Sequence, residues 1–145
     1  MVRMRKIWAL SAAAFAVAAI VSYGQDAGGP ADGKVARGKY LAEEVARCQD
    51  CHTPKMDSGS FIKSQWMKGS TLNLAPAAPV NGWHATTPDI TPNGALWKRW
   101  GETGMVTFLE TGKTPRGGAP GPPMPTYTLK HEDAEDIVAF LKSLQ

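Results

Sequence analysis

Five consecutive residues, Cys48-Gln49-Asp50-Cys51-His52, constrain this chain more than any other stretch in it. They contain its only two cysteines and one of its three histidines. Two thiols separated by two residues and followed at once by an imidazole form the attachment pattern for a c-type haem. Each sulfur can form a thioether to a former haem vinyl group, and a single turn of chain reaches both. The adjacent imidazole then comes under the iron as an axial ligand. Other uses of the pair fit less well. A thioredoxin-like redox pair follows a strand in a βαβ pattern, whereas a helical pattern precedes Cys48 and no βαβ alternation follows it. A structural zinc site needs four ligands. Beyond His52 only His84 and His131 remain, and neither stands in a paired spacing.

The beginning of the chain reads as a targeting segment. Arg3, Arg5 and Lys6 precede an apolar run over residues 7–21. That run is at the upper end for a signal peptide and short for a membrane span. Residues 1–24 are therefore expected to be a signal peptide cleaved after Gly24, with an uncleaved membrane anchor as the alternative. Export to the periplasm agrees with the motif, because c-type haem is attached outside the bacterial inner membrane. Residues 25–31 read as a Gly-rich flexible lead-in and residues 32–145 as one domain. The formal charge of +3 comes from the targeting segment alone. Removing its three basic residues from sixteen leaves thirteen, against thirteen acidic residues that all lie beyond it. A net charge of zero with no clustered basic face gives no reason to expect nucleic acid as a partner.

Helical signals flank the motif. Asp32 can cap a helix running to about residue 47, with Val35, Leu41 and Val45 on one face. Gly38 interrupts that pattern at a cost of about 1 kcal/mol relative to Ala, which close approach of another helix would justify. Regular signals fade between residues 53 and 91, where Gly and Pro recur. Thr71-Leu72-Asn73-Leu74 and residues 83–87 allow at most one short β-hairpin. So long an irregular run in a compact domain is expected only where it wraps something. Short helices are expected over residues 95–101 and from Thr103 to Gly112. The last helix is the clearest: carboxylates fill its first turns, and Ile137, Phe140, Leu141 and Leu144 follow the helical repeat. A Gly/Pro-rich mature chain of this size buries little apolar surface unaided. A haem would supply the centre of its core.

A second axial ligand must come from elsewhere. Met105 lies on an amphipathic helical pattern, and Met56 is too close to His52 to cross easily to the other haem face. Met124, stiffened between Pro123 and Pro125, and Met67, in the irregular region, remain, together with His84.

With these residues in place, the chain resembles the class I cytochromes c. The likeness rests on the helix carrying Gly38 and Tyr40, the Cys48–His52 motif, the helix ending at Thr111-Gly112, Pro123-Met124-Pro125, and the final Phe140-Leu141-Lys142-Ser143-Leu144. Within the class it looks most like the monohaem domains and subunits of bacterial dehydrogenases, whose Asn-Ile-Thr-Pro segment appears here as Asp89-Ile90-Thr91-Pro92. It departs from many relatives in having Lys130 where they cap the last helix with Thr or Ser. The resemblance implies an all-α fold, a small helical bundle around one covalently bound haem. Its N- and C-terminal helices would cross near Gly38. It implies Cys48, Cys51, His52 and Met124 as the haem-binding residues, with His52 and Met124 on the iron. It also implies a carrier of single electrons, not an enzyme in its own right. Its partners would be redox proteins such as a dehydrogenase, an oxidase or another cytochrome, and membrane association would come through an uncleaved N-terminus or a partner. A dedicated subunit of a membrane-associated dehydrogenase is the first alternative, and a haem sensor or small peroxidase with a labile sixth ligand the second. Haem is expected to stay on the denatured chain, because thioethers hold it. A haem-stained denaturing gel of protein from a maturation-competent host checks this, and a colourless band rejects the motif reading.

Overall fold

The computed structural model describes residues 30–144. The segment read as a signal peptide and most of the lead-in lie outside the described residues. Four α-helices make the frame: α1 (Pro30–Tyr40), α2 (Cys48–His52), α3 (Ala95–Thr111) and α4 (His131–Ser143). α4 packs against both α1 and α3. Residues 53–94 form a long loop with one 3₁₀ turn (Lys63–Gln65) and a two-strand antiparallel ladder. In that ladder β1 (Ser70–Thr71) meets β2 (Thr86–Thr87), with Ser70 opposite Thr87 and Thr71 opposite Thr86. The all-α expectation with one short hairpin holds. No helix among the described residues is long and apolar enough to cross a membrane.

α1 begins at Pro30, two residues before the expected cap. Proline suits a first helical turn because its missing N–H has no partner there anyway. Asp32 lies in the first turn and Arg37 and Lys39 in the last, both favourable to the helix dipole. The expected apolar face is only partly present. Residues Leu41–Val45 form a wider π-helical turn, which slips the 3.6-residue repeat. Ala42 becomes fully buried and Val45 is left 58% exposed.

α1 therefore leans on α4 through a close crossing. A methyl group at Gly38 would overlap the backbone carbonyl of Asp136. Around the crossing, Arg37 binds Asp133 at 2.5 Å and Asp136 at 2.7 Å, and Lys34 binds Glu135 at 2.8 Å. Exposed ion pairs contribute little. The Asp136 carboxylate is buried, however, and would be costly without its guanidinium partner.

The two expected middle helices run together as α3, broken only at Gly101 (φ 65°, ψ −179°). Met105, Phe108 and Leu109 are buried beyond that kink. Gly112 closes the helix in the left-handed region, its N–H donating to the Phe108 carbonyl at 2.9 Å. α4 starts directly after Lys130 with no side-chain cap, with Glu132 and Asp133 in its first turn. Ala134, Ile137, Val138, Phe140 and Leu141 are buried along it.

Gly38→Ala tests the crossing. Helix propensity alone favours Ala by about 1 kcal/mol, yet the overlap with Asp136 should reverse the sign and cost about 1–3 kcal/mol or more. Gly33 lies in the same helix with nothing within 4 Å of its missing methyl, so Gly33→Ala should stabilise. Denaturant unfolding of both variants reads the contrast.

Candidate cofactor-binding site

α2 is five residues long and could not stand alone in water. It is held from outside at each carbonyl that matters. Arg47 takes the left-handed conformation (φ 57°) and turns the chain into α2. The Thr87 hydroxyl donates to the Cys51 carbonyl at 2.7 Å, and the Gly69 N–H donates to the His52 carbonyl at 2.8 Å. The small hairpin is thus a clamp on the motif. It also delivers Pro88, whose carbonyl accepts a hydrogen bond from His52 Nδ1 at 2.9 Å.

That bond sets the chemistry of His52. A carbonyl can only accept, so Nδ1 carries the hydrogen and Nε2 keeps a free lone pair. His52 is 5% exposed. Burial pushes its pKa below the usual histidine value, and the Pro88 bond opposes this only in part. Burial thus favours the neutral ring, the form that can ligate a metal. The thiols show the opposite of redox activation. Burial raises Cys48 to about 11 and also raises Cys51, whereas a reactive redox cysteine needs its pKa lowered.

Cys48, Cys51, His52 and Met124 all line one cavity of about 410 Å³. Its other walls are mostly apolar. They include Leu96, Trp100 and Phe108 from α3, Ile137 and Leu141 from α4, and Ile90 and Tyr127 from the loops. His84 also reaches the wall. Its backbone N–H donates to the Pro122 carbonyl at 2.8 Å, and its ring lies over Gly121. Met67 is elsewhere: fully buried in the core, with φ 59°, its N–H donating to Thr53 Oγ1 at 2.9 Å. Its side chain does not line the cavity.

Several wall residues escape sequence reasoning. The role of Pro88 is carried by a backbone carbonyl, which leaves no side-chain signature. Trp100, Arg99 and Tyr127 are visible as aromatic or charged residues, but nothing in their spacing separates them from ordinary surface and core positions. Tyr127 donates its hydroxyl to the Ala46 carbonyl at 2.9 Å, tying the loop before α4 to the turn before Cys48. Burial pushes its phenol up to about 12, so it remains a donor over the whole ordinary pH range.

The site therefore offers an apolar slot, two neutral thiols three residues apart, a neutral imidazole with a free ring nitrogen, and a thioether. Its volume lies within the range of about 300–1,000 Å³ typical of cofactor pockets. This donor set fits a flat apolar macrocycle held covalently through its vinyl positions, with iron between nitrogen and sulfur.

Comparison with known proteins agrees. The sequence model of the family described as "Cytochrome c" matches residues 35–145. The chain is 32% identical over 116 residues to the cytochrome c subunit of a quinone-type alcohol dehydrogenase from Gluconobacter oxydans, covering 79% of this chain and 24% of that protein. It is 34% identical over 128 residues to a "Diheme cytochrome c-type" protein from Cereibacter sphaeroides, covering 80% of this chain and 40% of that one. A gluconate 2-dehydrogenase cytochrome c subunit from Pantoea cypripedii is 31% identical over 124 residues, covering 78% of this chain and 26% of the relative. The chain thus spans well under half the length of these relatives.

Tyr127→Phe should cost the haem-loaded protein about 1 kcal/mol, the usual net worth of a hydrogen bond, and leave its visible spectrum unchanged. Denaturation followed by absorbance reads both. A spectral change would place the hydroxyl on the cofactor and not on Ala46.

Proposed function

This chain belongs to the cytochrome c family, and we propose that it carries single electrons between larger redox proteins through one haem c. Cys48 and Cys51 would hold the haem through thioethers, and His52 and Met124 would ligate its iron. The observation that carries this reading is the convergence of all four side chains on one apolar cavity. When bound, the haem supplies a one-electron iron couple.

The protein's own residues do the rest. His52 offers Nε2 because Pro88 holds Nδ1. Met124 offers a soft sulfur, which favours the reduced metal and raises the potential. Ligation of the iron by both His52 and Met124 would leave no coordination position for a substrate, which would suit a carrier and not a sensor or peroxidase. The mostly apolar walls would limit the water around a bound haem, so little rearrangement would accompany a change of charge. A single Cys-x-x-Cys-His motif and only two cysteines support one haem in this chain, although a relative is named as diheme.

A second reading, that the chain is a dehydrogenase's dedicated cytochrome subunit, is favoured by the relatives named as such. The dehydrogenase would then be the electron donor. Export to the periplasm is part of the proposal and rests on the basic and apolar run of residues 1–24.

Met124→Ala should abolish the sulfur-to-iron charge-transfer band of the oxidised protein, lower the potential and admit cyanide or imidazole. Met67→Ala should leave the band in place. Absorption spectra and redox titration of the two variants decide. The reverse pattern gives the ligand role to Met67, and a wild type with no such band moves the sensor or peroxidase reading ahead.

A further inference from the structure

Four arginines lie among the described residues, and they fall into two pairs. Arg37 is bound to Asp133 and Asp136, and Arg47 to Asp50. Arg99 and Arg116 have no carboxylate partner among the described residues. Both are exposed and border a second, solvent-open hollow of about 300 Å³, together with Trp100, Thr114 and Pro115. Arg99, Trp100 and Thr114 also line the main cavity, so the two spaces adjoin.

The polar groups here are mainly donors. They are two guanidinium groups, the indole N–H of Trp100 and the Thr114 hydroxyl, and none of them makes a hydrogen bond among the described residues. Among those residues no Asp or Glu lines either cavity. Arg116 sits at the tip of a tight turn closed by its own backbone. The Thr114 N–H donates to the Gly118 carbonyl at 2.7 Å and the Gly117 N–H to the Thr114 carbonyl at 2.8 Å. Donors that converge without acceptors form a receptor for an anion, and guanidinium groups favour carboxylates held through two bonds.

The haem brings two such groups. Its propionate carboxylates project from the edge of the macrocycle away from the vinyl positions, and Cys48 and Cys51 claim the vinyl edge. The main cavity is otherwise apolar, where an unpaired carboxylate would be costly. We infer that Arg99 and Arg116, with Trp100 and Thr114, receive the propionates and so fix the second edge of the haem. This rests on the haem reading above. As positioning residues with positive charge near the iron, the two arginines also favour the reduced state and raise the potential.

The test uses haem-loaded protein on a His84→Gln background, which removes a histidine from the cavity wall; Tyr127 stays, its phenol pushed up to about 12 and so above the pH range scanned. Arg99→Gln and Arg116→Gln should each shift the midpoint potential downward. They should also give it a slope with pH where the parent is flat, because an unpaired propionate then titrates. Arg99→Lys, which keeps the charge but loses the fork, should recover part of the shift. Lys98→Gln, a change of equal charge on the same helix but not lining either cavity, should do neither. Arginine variants that track Lys98→Gln in both potential and slope overturn the proposal. Inorganic phosphate titrated into the wild type at fixed ionic strength should leave the potential unchanged. A saturable shift, lost in the Arg→Gln variants, assigns the site to a free anion and also overturns it. A parent chain that carries no haem on a stained gel overturns the cofactor reading and this one together. Haem in place with an unmoved potential overturns this one alone.

Discussion

The rest of the structure depends on a hole that the chain cannot fill with its own side chains. The cavity of about 410 Å³ is bounded by α2, α3, α4 and the two long loops, so most of the core is also its wall. Leaving apolar volume empty costs about 24 cal/mol per Å³. Over this volume the cost is on the order of 10 kcal/mol, an upper bound because the mouth is open. A whole domain is stable by only about 5–15 kcal/mol. The fold and its occupant are therefore one thermodynamic unit, and a ligand held covalently never dissociates to break it.

The loops then acquire a definite purpose. Residues 53–94 have little regular structure, yet their backbone and hydroxyl groups supply the bonds that fix the motif. Gly69 holds the His52 carbonyl, Thr87 the Cys51 carbonyl and Pro88 the His52 ring. Tyr127 does the same for Ala46 from the other loop. A five-residue helix needs such outside partners, and the role proposed for His52 on the iron needs its ring angle set. The same hairpin meets both needs.

Much of this was legible in the sequence, and what was hidden had physical reasons. The Cys48–His52 motif declares its chemistry because covalent attachment demands those residue types at that spacing. Gly38 declared a close approach, since a helix tolerates glycine poorly without one, and the family resemblance named the last helix as its partner; that the Asp136 carbonyl is the group passing over it was hidden. The apolar face was misread at Val45, beyond the end of α1, because the π-helical turn there breaks the period on which such readings rest. In sequence, the flanking prolines and the family resemblance favoured Met124, with Met67 as its rival. The two separate fully only in three dimensions, where Met67 lies closed in the core and Met124 on the cavity wall. α4 begins without a Ser or Thr cap. Carboxylates in its first turn and a well-packed face suffice there, and single-residue capping rules weigh neither.

The crossing of α1 and α4 has a consequence for the order in which the molecule is made. Arg37 and Asp136 are 99 residues apart. A chain synthesised from its N-terminus exposes α1 and both cysteines long before the backbone that must lie over Gly38 exists. Ile137 and Leu141, which complete the cavity wall, arrive in that same late segment. Until that segment is present, the part of the cavity wall that Ile137 and Leu141 supply is missing. Contacts between distant segments form late in folding as well. The proposed attachment of haem at Cys48 and Cys51 would thus come before the last helix has completed the wall around them.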